Sequence, residues 1–364
     1  RSPLADRLDR DYFESEYLSS YSGETQYDGE YVSLLQRESE LVYEYEAMIS
    51  DPVIDIDGEP VYYLEYIEGD ISSGEYAAAT QAYYEKYAYD AGEIYIELVK
   101  TRHAIAETLG FASYSDYAYA SYGRDYSSQE ASQYISTVSQ ALIPVYSQLL
   151  NEGGFAPYYQ FGRLSEEENV RALESACRNM GGRVWEIYQY MDDYGLYDIS
   201  PSSVKYPGSF QVYLESWSAP FIFVNPTGTM TDFTTFAHEF GHFVDAYVNY
   251  NSYITVDASE ACSQSMAMLA PLYADTISSE ELNALCRGSI LDALSTYVEQ
   301  GAYNAFEDRV YSLPENKLTV ENLMEISLEC FTEYSMVSPG YDWYYSACWI
   351  DVPHFFLQPY YVAS

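Results

Sequence analysis

The heptapeptide Phe236-Ala237-His238-Glu239-Phe240-Gly241-His242 constrains this chain more than any other stretch. It lies in a segment of helical periodicity and contains the pattern H-E-x-x-H. Residues four apart sit one above the other on a helix face, so His238 and His242 can offer two imidazoles to one metal ion. Glu239 follows the first of them and overhangs the site without binding the ion, where it can take a proton from water held there. The bland alternative is a chance match on an amphipathic helix. With only four His in 364 residues such a match is rare, and the spacing predicts a zinc-peptidase helix.

A chain of this length supports two domains or one elongated body. Its charge is extreme, 16 Lys plus Arg against 57 Asp plus Glu, for a formal net charge of -41. Such a field repels nucleic acid and anionic lipid, which removes both as expected partners, and it favours basic peptides by steering. The same acidity does not predict disorder, because 48% of residues are hydrophobic and Tyr alone contributes 44. Five Cys without C-x-x-C spacing predict mostly buried thiols. No apolar run is long enough to insert in a membrane. The first residue is Arg, and low Lys with abundant Asp, Glu, Tyr and Ser suits a trimmed, extracytoplasmic protein.

The pattern along residues 1–195 is that of a helical scaffold lobe. Two amphipathic stretches fill residues 1–50, separated by Ser-Gly-Glu-Thr, and turn signals at 51–72 predict a loop or small hairpin. Helical periods then cover 73–109, 127–151 (ending at Gly153-Gly154) and 165–194, the last opened by Ser165-Glu-Glu-Glu. The Tyr stripes on these segments read as core and groove lining rather than a cofactor box. Residues 196–364 form the second predicted unit. Phe210–Leu214 and Phe221–Asn225 read as strands, and the metal helix starts near Thr231 or Asp232. A loop follows Asn251, then helices over 257–273, 279–311 and 319–336, before an aromatic tail.

A catalytic zinc takes three protein ligands and a water, so a third ligand is needed. The other two His, His103 and His354, are not just downstream. Asp245, three residues past His242, suits a carboxylate that orients an imidazole, and an ordinary solvated charge equally well. Asp257 and Glu260 open the next helix. They fit a capping box as well as a ligand role, and spacing alone leaves both readings open.

Taken together, His238-Glu239-Phe240-Gly241-His242 and Glu260-Ala261-Cys262-Ser263-Gln264 resemble the thimet oligopeptidase and oligopeptidase F family, closest to the oligopeptidase F branch. Pro220–Asn225, Asp232–Phe236, Pro353-His354-Phe355-Phe356 and Pro359-Tyr360-Tyr361-Val362 extend the likeness, which covers about 90 to 362. The resemblance implies a mainly α, zincin-like fold, with helical lobes around a substrate channel and a small β-sheet beside the active-site helix. It implies one Zn2+ held by His238, His242 and Glu260, Glu239 as the base, and His354 and Tyr361 as donors to the oxyanion of the tetrahedral intermediate. It further implies short peptide substrates in extended conformation. Phe221, Phe223 and Asn225 are expected on a strand that pairs with the peptide, and Tyr360 beside it. The family continues through C-terminal helices past the position of Ser364 and has a larger N-terminal lobe, so the chain is expected to be truncated in both. The alternative function is a catalytically silent, peptide-binding member that keeps the groove without turnover.

Overall fold

The computed structural model describes residues 29–67, 69, 71–152, 164–202, 205, 208–249 and 255–363. The first amphipathic stretch, the Gly153-Gly154 stop and the loop at Asn251 lie outside these residues. Helix α1 (Gly29–Ser50) leads into a hairpin of β1 (Val53–Ile56) and β2 (Glu59–Tyr62), antiparallel in register Val53 to Tyr62. The turn residues Asp57 and Gly58 both have positive φ, as the Asp-Gly signal requires. After the short α2 (Tyr63–Ile67) comes the 36-residue α3 (Ser73–Thr108). Its start is a capping box. Ser72 Oγ accepts from the Glu75 N–H at 3.3 Å, and Glu75 Oε2 accepts from the Ser72 N–H at 2.8 Å. Its end is set by Gly110 at φ +81.

Helices α4 (Tyr114–Ser121) and α5 (Ser128–Asn151) follow. The helical period over 165–194 is two helices, α6 (Glu166–Met180) and α7 (Gly182–Asp193). Gly181 and Gly182 both have positive φ and break it, a conformation that a continuous helix excludes. The Ser165–Glu168 capping box forms as expected. The second sheet has order β3 (Tyr197–Asp198), β5 (Ala219–Val224), β4 (Ser209–Leu214), with β3 parallel and β4 antiparallel to β5. Then come α8 (Thr231–Asn249), α9 (Val256–Tyr273), α10 (Ser279–Tyr311), α11 (Val320–Glu333), and the short α12 (Asp342–Ala347) and α13 (Pro353–Leu357). The architecture is mainly α, as the resemblance implies.

Two apolar cores organise these elements, and they do not follow chain order. One joins residues 41–146 to 298–362 through stacked aromatics such as Tyr45 on Phe356 and Tyr114 on Tyr311. The other lies within 172–285, under β5 and α8. A cut at 195 therefore separates segments that share a core. The 33-residue α10 runs through both, with Leu285 in the second core and Phe306 in the first. Among the described Tyr of the scaffold, Tyr45, Tyr83, Tyr84, Tyr95 and Tyr114 are buried in the first core, while Tyr43, Tyr76, Tyr89 and Tyr134 are exposed. Among the five Cys, all free, Cys177, Cys330 and Cys348 are buried, Cys286 is half-buried and Cys262 is exposed. Among the described residues no helix is long and apolar enough to cross a membrane.

Candidate active site

Helix α8 presents its apolar side, Phe233, Phe236, Phe240 and Phe243, to the second core. That packing rotates His238 and His242 onto the face toward α9, where they are half-buried. Their rings stand 4.9 Å apart at 82°, so two imidazole edges converge on one point. Helix α9 packs along α8 and is held close by Gly241. A Cβ on Gly241 would lie 2.5 Å from the Ser263 Cα and 3.0 Å from the Cys262 carbonyl oxygen. This contact brings Glu260 to the two histidines. Its Oε2 is 3.5 Å from His238 Nε2 and its Oε1 is 3.6 Å from His242 Nε2.

One ligand atom from each of His238, His242 and Glu260 can be chosen so that all lie within 4.8 Å of one another. Bonds of ~2.05 Å in a tetrahedral site place neighbouring ligand atoms ~3.3 Å apart, close to the separations found here. The donor chemistry agrees. His242 Nδ1 and Ser259 Oγ share a 2.9 Å hydrogen bond, which fixes the ring and leaves Nε2 turned to Glu260. Burial holds both imidazoles below their usual range, His238 down to about 4 against the pull of Glu260, so both are neutral ligands at pH 7. The three residues fit a zinc ion.

The structure also resembles known peptidases. No known family pattern and no curated protein matches the sequence. Among solved structures, PZ peptidase A with an inhibitor superposes with a TM-score of 0.78 at 22% identity, over 99% of this chain and 69% of its own. A Bacillus anthracis oligoendopeptidase F superposes at 0.67 with 24% identity (94% and 70%), and Enterococcus faecium oligoendopeptidase F at 0.55 with 16% (91% and 58%). The chain has the oligoendopeptidase F fold.

Within that oligoendopeptidase F fold, the remaining residues singled out in the sequence fall as follows. Glu239 is buried beside the ligands, and its carboxyl is pushed up to about 8, by burial first and then by the Glu260 carboxylate. Tyr361 donates its hydroxyl to Glu260 Oε1 at 2.6 Å, and His354 stacks on the Tyr361 ring at 4.4 Å. Burial, then Glu260, raises the Tyr361 pKa, so the phenol keeps its proton and remains a donor. Burial keeps His354 below its usual range.

Asp245 does not orient His242. Its carboxylate accepts from the Asn249 amide at 2.6 Å, and Ser259 occupies the imidazole instead. The capping box of Asp257 and Glu260 does not form either. Thr255 caps α9, accepting from the Ala258 N–H at 3.3 Å, while Asp257 pairs with Arg124. Strand β5 is not an edge. It is bonded on both sides, which occupies the backbone around Phe221 and Phe223, and Phe223 stacks on Phe210. The Asn225 amide bonds the Ser202 carbonyl and its own carbonyl accepts from the Ser202 N–H. Tyr360 is 1% exposed, packed on Tyr119 and Tyr311, and cannot line a groove. Among the described residues the outer edges of this sheet are β4 and the two-residue β3, of which β4 is the longer.

The buried acids predict how stability follows pH. Glu239 and Glu307 are both held at about 8, each chiefly by burial, against an ordinary 4.5. Folding therefore takes up protons between these values, and stability falls as pH rises toward 8. The buried histidines act oppositely, but only below their ordinary 6.5, where unfolding would protonate them. From about pH 7 to 8 the acids prevail, and self-repulsion of the negative surface adds to them. The metal-free protein is expected to melt at a lower temperature at pH 8 than at pH 7. Thermal melts under chelation check this, and a rising melting temperature would refute the assignment of these buried acids.

Proposed function

We propose that this chain is a zinc-dependent endopeptidase acting on short peptides, and so a member of the oligopeptidase F family. The observation that carries the reading is the convergence of His238, His242 and Glu260 with Glu239 buried beside them and Tyr361 hydrogen-bonded to Glu260. His238, His242 and Glu260 would hold the ion, which when bound supplies Lewis acidity and a water of lowered pKa. A cation at this point also favours the ionised form of Glu239. Glu239 then takes the proton of the attacking water and passes it to the leaving amine. The Tyr361 hydroxyl, with His354 against its ring, turns to the oxyanion that develops on the scissile carbonyl. Removing one such donor typically costs ~100- to 1,000-fold in rate. An extended peptide adds to the outer side of β4, the longer of the sheet's two edge strands, whose Phe210 and Val212 are exposed.

The test is cleavage of quenched fluorescent peptides of about 6 to 15 residues, with and without chelator. Cleavage that chelation abolishes and zinc restores supports the reading. No cleavage by protein shown to contain zinc overturns it in favour of a silent peptide binder.

A further inference from the structure

The segment that carries His354 and Tyr361 is held by ionisable groups remote in sequence. Arg102 on α3, fully buried, donates to the carbonyl oxygens of Phe355 (2.9 Å) and Phe356 and pairs with Glu38. Glu307 on α10 accepts the Tyr360 N–H at 2.9 Å. Arg124, just past α4, donates from both Nη1 and Nη2 to the Tyr360 carbonyl, each at 3.1 Å. The same guanidinium reaches Asp257 Oδ1 at 3.3 Å, and it lies 4.4 Å and 5.0 Å from the ring centroids of Tyr119 and Tyr122. Asp257 also receives the Tyr126 hydroxyl.

One buried cation thus grips two segments at once. The first is the opening turn of α9, three residues before Glu260. The second is the residue immediately before Tyr361. Tyr360 has φ +65, a left-handed conformation that disfavours a bulky side chain, so its peptide needs to be held from outside. Glu307 holds its N–H and Arg124 its C=O. The direction of that carbonyl sets where the next side chain emerges, and there the Tyr361 hydroxyl meets Glu260 at 2.6 Å.

Resting on the peptidase reading above, we propose that Arg124 is a positioning residue that ties the tail to α9 and so fixes the Tyr361 hydroxyl against Glu260. It acts through the Tyr360 carbonyl and Asp257, neither of which belongs to the proposed zinc ligands. Its contribution is geometric, and misplacement of a reacting group by ~1 Å can cost ~100-fold. A merely structural arginine would affect activity independently of Tyr361, whereas a positioning one acts through it.

The experiment is a double-mutant cycle of Arg124→Met and Tyr361→Phe, read as kcat and KM on a fluorogenic peptide. Met keeps an unbranched apolar stem and removes the guanidinium that holds the Tyr360 carbonyl and Asp257. Arg124→Met is expected to lower kcat ~10- to 100-fold with KM within about two-fold. In the Tyr361→Phe background it should change kcat by less than about two-fold. Multiplicative losses, or a loss carried by KM, overturn the proposal. Should Arg124→Met not fold, Asp257→Asn replaces it in the same cycle under the same criterion. A second readout does not depend on turnover, and so separates failure of this proposal from failure of the peptidase reading. With 3-fluorotyrosine placed at position 361 alone, the single 19F resonance is expected to shift and broaden on Arg124→Met. An unchanged resonance overturns the proposal even in a protein that cleaves nothing.

Discussion

Replacing Glu239 by Gln is expected to lower kcat by about 10³-fold while zinc remains bound. The two side chains are nearly isosteric, and none of the three proposed ligands is altered. Glu239 is only 6% exposed and lies on α8 directly after His238, so a substituted amide fills the same space. What it cannot do is accept a proton. Its carboxyl is already poised between the two states, raised to about 8 by burial and by Glu260, and a cation brought to the site draws it toward the ionised form. Zinc content by elemental analysis and turnover on the same preparation check the prediction together. Turnover at the wild-type rate would remove Glu239 from the reaction, and loss of zinc along with turnover would assign it a ligand role.

Much of this was legible in the sequence because it is local. The H-E-x-x-H pair needs only helical periodicity, and the long helices follow from apolar spacing and from a capping residue such as Ser165. The proposed third ligand was legible only by resemblance, since Glu260 and Asp257 fit a capping box equally well until Thr255 is seen in that place. What escaped was set by tertiary packing. Strand β5 has the most apolar run of the sheet because it is central, which is also why it has no edge to offer a peptide. The longer edge strand, β4, alternates in exposure over its first four residues and looks less like a groove. Ser259 beside Glu260 was the available signal for the imidazole partner, masked by the more familiar carboxylate Asp245. Arg124 gave no signal at all, because the Asp257 carboxylate and Tyr360 carbonyl that it grips lie 133 and 236 residues away.

Gly241→Ala is expected to damage both the fold and the metal site, by one steric event. The added Cβ would sit 2.5 Å from the Ser263 Cα, 3.0 Å from the Cys262 oxygen and 3.1 Å from the Met266 Cβ. Two of these three are backbone atoms, which cannot rotate aside. The helices α8 and α9 must therefore part, or α9 must slide, and interiors this closely packed resist either movement. Overpacking of this kind typically costs ~1–3 kcal/mol, which for a chain of this size, at ~1.3 °C per kcal/mol, lowers the melting temperature by ~1–4 °C. The local consequence is larger. Glu260 rides on α9, and His238 and His242 ride on α8, so parting the helices opens the 3.5 and 3.6 Å separations on which a common ion depends. Zinc affinity should fall at least ~10-fold, in line with the 10- to 100-fold losses that follow when support for a ligand is removed. Competition titration against a chromogenic chelator measures the affinity and a thermal melt the stability. A variant that melts lower but binds zinc as tightly as wild type would mean that Glu260 finds the histidines without the close helix contact. In that case the glycine of H-E-x-G-H would serve packing alone.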